Sequence, residues 1–273
     1  MKDGKPLRVL SLGWGVQSWT LAAMVALGEI EPVDYAIHAD TGHEREETYR
    51  HAAKWTPWLE EHGVKVVTVH GSRTGVVEEW QTSSVIIPAF TTARADGDQG
   101  QVRRQCTNEW KIRPIRAFLR EHLPPRPGPN SVHSLQGISM DEWHRMRDSD
   151  VAYITNVYPL VEAKITRAGC VQWLESRNLP VPPKSACTFC PYHSLAAWKA
   201  LKAAGGPDWR EAVEVDEAIR GKRAGPCIDK PQDLFVHPAR QPLPVAVRIP
   251  EDEGAHQEEM DFEALCDSGY CMV

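Results

Sequence analysis

Two groups of residues in this chain have types and spacings that could do chemistry. The first is Ser11-Leu12-Gly13-Trp14-Gly15-Val16-Gln17-Ser18. Glycines let a backbone approach an anion closely, and the unpaired amides at a helix N-terminus point toward negative charge. Ser11 and Ser18 add hydroxyl donors. The same residues also fit an ordinary βα turn. There is no Gly-Lys-Ser/Thr ending and no third glycine, so neither a Walker loop nor a dinucleotide fingerprint is present. The second group is sulfur. The chain has seven cysteines, and Cys187-Thr188-Phe189-Cys190 sets two thiols where they could face one ligand. That pair alone fits zinc, an iron–sulfur cluster or a redox dithiol. His193 suits a cap or a substrate contact better than a zinc ligand. Cys106 and Cys170 are further ligand candidates. Cys170 falls in the first turn of a helix capped by Thr166, where the helix dipole favours thiolate; a small buried side chain is the simpler reading.

The elements that must position these groups alternate. Leu7 to Leu10 is short and apolar, as a buried strand should be, and Trp19 to Leu27 reads as a helix stopped by Gly28. Val33 to Asp40 is a second strand, ending in Asp40-Thr41-Gly42. A helix over Glu44–His62 follows, then a third strand over Val64–Val69. This βαβαβ rhythm with short connections predicts an α/β fold with a doubly wound, mostly parallel sheet. Such sheets bind ligands at the carboxyl ends of their strands. Val85–Ile87 is a strand candidate before a loop rich in glycine and aspartate. Helices are expected over Ile115–His122, Arg167–Arg177, Leu195–Ala204 and Trp209–Arg220, and a further strand within Ser131–Ile138. From Gly221 onward, proline, glycine and acidic residues suggest a peripheral tail. The implied blocks are a nucleotide-binding α/β domain over 1–165, a helical cysteine-bearing segment over 166–220, and a tail over 221–273.

The loop and Asp40-Thr41-Gly42 with Glu47-Thr48 resemble the PP-loop, or adenine nucleotide α-hydrolase, superfamily. The nearest likeness is to its phosphoadenosine phosphosulfate (PAPS) reductase family, in the iron–sulfur branch. The resemblance implies an adenine nucleotide, ATP or PAPS, with Mg2+ as companion ion, held by Ser11, Gly13, Gly15, Gln17, Ser18, Asp40, Thr41 and Gly42. It extends to Lys111 after Cys106, and to Gly137, Glu142 and Arg145, which grip the anionic end of the substrate in that family. Two departures stand out: Gln17 occupies an aspartate position of the ATP pyrophosphatases, and Ser139 occupies an arginine position. The family's cysteine pair followed downstream by Cys-x-x-Cys implies a 4Fe–4S cluster on Cys106, Cys187 and Cys190. Thr107 replaces the fourth thiolate, so either Cys170 supplies it, the favoured reading, or one iron stays open. The family keeps a nucleophilic cysteine on a C-terminal arm; Cys266 and Cys271 could take that part or form a redox pair, although their motif differs from the family's Glu-Cys-Gly, and incidental thiols on a frayed end fit nearly as well.

The implied activity is sulfur transfer or reduction beside the nucleotide, with a thiol reductant or sulfur-donor protein as partner. ATP-dependent thiolation of a nucleic-acid acceptor is the alternative enzyme. A non-catalytic sensor of nucleotide and cluster is the alternative of another class.

Composition bounds these readings. At 273 residues, 42% hydrophobic and 25% charged, the chain can bury a sizeable core without disulfides. A net charge of -6 gives no global field for nucleic acid. The basic run Arg103, Arg104, Lys111, Arg113, Arg116 and Arg120 is local; it could hold phosphates or form a solvated helix face. With no charged-then-apolar leader and no membrane-length apolar run, a cytoplasmic protein with reduced cysteines is expected.

Overall fold

The computed structural model describes residues 5–71, 85–91, 100–223 and 231–248. They form two compact units. One contains residues 5–71 and 107–185, the other 85–91, 100–106, 186–223 and 231–248. The units interleave along the chain.

The first unit is built on five parallel strands: β1 (Leu7–Ser11), β2 (Tyr35–Asp40), β3 (Val66–His70), β6 (Val132–Leu135) and β7 (Ile154–Val157). Their order is β3-β2-β1-β6-β7. β1 is central, with Leu10 paired to Ala36 on one side and Leu135 on the other. Val9 and Leu10 are both fully buried, because helices cover both faces of the sheet. Leu10 packs into a core with residues of α1 (Val16–Ala26), α4 (Pro159–Glu162) and α5 (Arg167–Ser176). Val9 packs on the opposite face with Ile115 and Leu119 of α3 (Arg113–Glu121). The doubly wound α/β reading therefore holds. Strand order reverses between β1 and β6, and that is where a crevice opens beyond the strand ends in such sheets. The edge strand β7 escapes sequence reading: Ile-Thr-Asn-Val is short and only half-buried.

Helix α2 (Glu46–Glu61) and β3 start two residues later than expected. Thr166 does cap α5, its hydroxyl accepting from the Gly169 amide at 3.0 Å. Among the described residues, no helix is long and apolar enough to cross a membrane.

In the second unit, β4 (Phe90–Thr91) lies between β5 (Gly100–Gln101) and β8 (Leu234–Phe235), all antiparallel. Val85 to Ile87 is buried but not a strand. Helices α6 (Leu195–Ala204) and α7 (Gly206–Ala218) fall close to expectation. After Gly221, residues 231–248 belong to this unit. Leu234, Val236, Leu243 and Val247 are fully buried there, and Leu243–Ala246 forms a helical turn, α8. Asp216 of α7 organises it, accepting from the Val236 amide at 2.9 Å, the Leu243 amide at 2.8 Å and the Arg220 guanidinium.

Candidate functional site

β1 delivers the chain to the glycine loop. The Leu12 amide still bonds the Ile37 carbonyl at 2.9 Å, and then the backbone turns. Trp14 has a positive φ of 59°, and Gly15 serves as N-cap of α1. The helix starts at Val16, not Trp19, so Gln17 and Ser18 belong to its first turn. Nothing in the sequence marks that start, because Gly15 brings no capping side chain. Directly across the crevice, the chain leaving β6 presses on this turn. A Cβ on Gly137 would stand 2.9 Å from the Ser18 nitrogen and 3.0 Å from its Cα, so only glycine fits. Ser139, two residues on, is fully buried, and its hydroxyl has no hydrogen-bond partner among the described residues. A buried polar atom in that state calls for a water or a ligand.

Asp40 ends β2. Its carboxylate accepts from the Gly42 amide at 2.8 Å and the Tyr49 hydroxyl at 2.7 Å. Burial opposes its charge, but those two donors outweigh it and hold the carboxyl below its usual value. Gly42 has a positive φ of 76°, as the tight turn after Asp40 requires. The ring of His38 is buried, with Nδ1 3.0 Å from the Leu12 carbonyl. A carbonyl only accepts, so Nδ1 carries the proton, and burial keeps the imidazole neutral.

Glu44 is a site residue that sequence reading misses, taking it for the start of a helix. It lies ahead of α2 and is only 4% exposed. Lys111 reaches it at 3.3 Å from the π-helical turn Asn108–Ile112. The Ser185 hydroxyl stands 3.2 Å from its carboxylate and 2.5 Å from the Gly13 carbonyl of the loop. The available signal was a carboxylate two residues beyond Asp40-Thr41-Gly42 and outside any helical stripe.

Gln17 joins the opposite wall. Its amide nitrogen donates to Glu142 at 3.0 Å, while its carbonyl accepts from Arg167 at 3.0 Å. Arg145, buried, lies 3.3 Å from the same Glu142. A carboxamide can serve a carboxylate and a guanidinium at once. Gln17→Glu puts a second carboxylate against Glu142 at a position only 2% exposed. We expect it to lower stability by about 2 kcal/mol at pH 7. The loss should shrink as pH falls and the new carboxyl protonates, which denaturant titrations at pH 7 and pH 5 would measure.

The ring cluster behind the loop adds a pH dependence. Burial pushes His51 down to about 4 from 6.5. Between those values the unfolded chain binds the proton and the folded chain does not, so stability falls as pH drops through that window. The full loss from His51 is about 3 kcal/mol. Burial also lowers His237. Thermal melts from pH 7.5 to 4.5 should show a declining midpoint, and His51→Phe should make the decline shallower.

Cys106, Cys187 and Cys190 are all in the second unit, half-buried. The Cys190 amide bonds the Cys187 carbonyl at 3.1 Å, closing a tight turn, and His193 Nε2 bonds the same carbonyl at 2.9 Å. Cys170 is in the first unit, in the core between α1 and α5 and without solvent exposure. Burial pushes the thiol up to about 11, which agrees with the simpler sequence reading of a small buried side chain and not with a dipole-favoured thiolate. Among the described residues, no group of three or more His, Cys, Asp or Glu side chains is arranged to hold a metal ion. Cys266 and Cys271, the expected nucleophiles, lie outside the described residues, as does Cys227.

The basic run is divided. Arg103 and Arg104 belong to the second unit, Lys111 to Arg120 to the first. Arg113 pairs with Glu109 at 2.6 Å and Arg116 with Asp150, which fits a charged helix face.

No family model and no curated protein matches this chain. Among solved structures it is similar to the crystal structure of phosphoadenylyl-sulfate (PAPS) reductase from Candida auris, a phosphate complex. Identity is 13%, over 65% of this chain and 75% of that one, with a TM-score of 0.44.

Proposed function

We propose that the first unit binds an adenine nucleotide across the carboxyl ends of β1, β2 and β6, and that the chain is an enzyme of sulfur transfer or reduction. The phosphates lie on the amides of residues 13–18, with Lys111, Arg145 and Arg167 as the nearby cations. The nucleoside lies toward Asp40, Thr41 and Gly42. The observation that carries the reading is the forced approach of Gly137 to the first turn of α1, at the point where strand order reverses. It fixes the turn whose amides would hold the anion.

The thiols supply the sulfur chemistry. With PAPS, a thiolate attacks the sulfuryl sulfur; an S–S bond forms, and the S–O bond breaks with its electron pair leaving on the nucleotide phosphate. A second thiol, from this chain or from a dithiol reductant, then displaces sulfite and leaves a disulfide. Cys266 and Cys271 are the proposed nucleophiles, and Cys106, Cys187 and Cys190 the remaining sulfur-bearing groups. Anaerobic incubation with PAPS and dithiothreitol should release sulfite, and the double substitution of Cys266 and Cys271 by serine should abolish it. Formation of AMP and pyrophosphate from ATP, without sulfite from PAPS, would instead assign ATP-dependent thiolation. Nucleotide binding with neither product would leave a sensor.

A further inference from the structure

Trp14 is caught between two opposing demands. Its backbone φ of 59° is left-handed, a conformation that bulky residues rarely adopt and glycine adopts without strain. Its side chain is 1% exposed and packed into the core. The indole stacks on Trp19 at 6.0 Å and meets His51 edge-on at 5.8 Å. Trp19 is in turn seated against Trp55 at 5.4 Å and Trp58 at 5.8 Å. The middle of the glycine loop is thus bolted to the helix side of the sheet. Glycine at 14 would suit the backbone but would make a run of three glycines from 13 to 15, with many conformations open to it. Facing the turn that follows is the segment bearing the buried hydroxyl of Ser139, which has no hydrogen-bond partner among the described residues.

On the reading that this loop receives the nucleotide's phosphates, we propose that Trp14 is a positioning residue for them. Its buried ring holds the loop in the left-handed turn that sets the amides for an anion before the ligand arrives. The indole itself is too deeply buried to touch the ligand.

An unusual order of affinities follows. A buried aromatic that only fills space is replaced less harmfully the more volume is kept, giving Phe above Ala above Gly. If the backbone conformation is what matters, glycine should surpass alanine, because alanine loses the packing and keeps the strain. Titration calorimetry with ATP, and with inorganic pyrophosphate as a probe lacking the nucleoside, would decide it on variants shown to be folded by circular dichroism. Trp14→Phe is expected to bind within a few-fold of the parent. Trp14→Gly should bind at least about tenfold more weakly, and Trp14→Ala about fivefold more weakly than Trp14→Gly. Equal or tighter binding by Trp14→Ala than by Trp14→Gly would overturn the proposal. So would a loss of about thirtyfold or more in Trp14→Phe, which would mean the indole is a direct contact. Should the two small variants fail to fold, hydrogen exchange at the amides of residues 13–18 in the parent chain decides: protection already present before pyrophosphate is added supports the proposal, and protection that arises only with pyrophosphate overturns it. If the parent chain binds neither probe, the phosphate reading fails and this proposal with it; if the parent binds and the order is inverted, only this proposal fails.

Discussion

Replacing Gly137 by alanine is expected to weaken adenine-nucleotide binding by at least about tenfold and to lower stability by about 1–3 kcal/mol. The new methyl group would stand 2.9 Å and 3.0 Å from backbone atoms of Ser18, not from a side chain that could rotate away. Either the first turn of α1 or the exit from β6 must shift. Both carry groups assigned to the ligand: the loop amides on one side, Glu142 and Arg145 on the other. Affinity should therefore suffer beyond what the lost stability accounts for. Gly128→Ala is the matching control, since a Cβ there meets nothing within 4 Å. Calorimetric titration and denaturant melts of the two variants would separate the effects. Equal affinity for Gly137→Ala and the parent would remove the loop–β6 contact from the binding site.

Asp216→Ala should be the most damaging substitution in the second unit. The carboxylate is fully buried and accepts from two backbone amides and one guanidinium. Alanine leaves the Val236 and Leu243 amides without their acceptor in a region with little water. The expected destabilisation is about 3–5 kcal/mol. Hydrogen exchange should show it first as lost protection at residues 234–247. Unchanged protection there would mean that the apolar contacts of Leu234, Val236 and Leu243 suffice without the carboxylate.

The first unit was more legible in sequence than the second. β1, β2 and β3 announce themselves as short apolar runs between helical segments, and Thr166 marks its helix by a side-chain cap. The start of α1 was hidden because its cap is a backbone glycine. Glu44 was hidden because its role depends on Lys111 and Ser185, 67 and 141 positions away along the chain. Gln17 looked like a lost aspartate; in three dimensions it bridges Glu142 and Arg167. For Cys170 the local pattern offers both a dipole-favoured thiolate and a small buried side chain; the burial that raises its pKa selects the second, and it is set by tertiary packing. In the second unit, the stretch from Gly221 onward reads only as rich in proline, glycine and acidic residues, because what holds residues 234–247, buried side chains and Asp216, is long-range.

Titrating the purified chain with ATP and with PAPS under anaerobic conditions, and then displacing the bound nucleotide with pyrophosphate, interrogates the nucleotide site itself. Saturable binding at one site per chain is expected, with competition by pyrophosphate and weakening in Gly137→Ala but not in Gly128→Ala. Absence of binding by either nucleotide, or binding that pyrophosphate leaves untouched, would rule that site out.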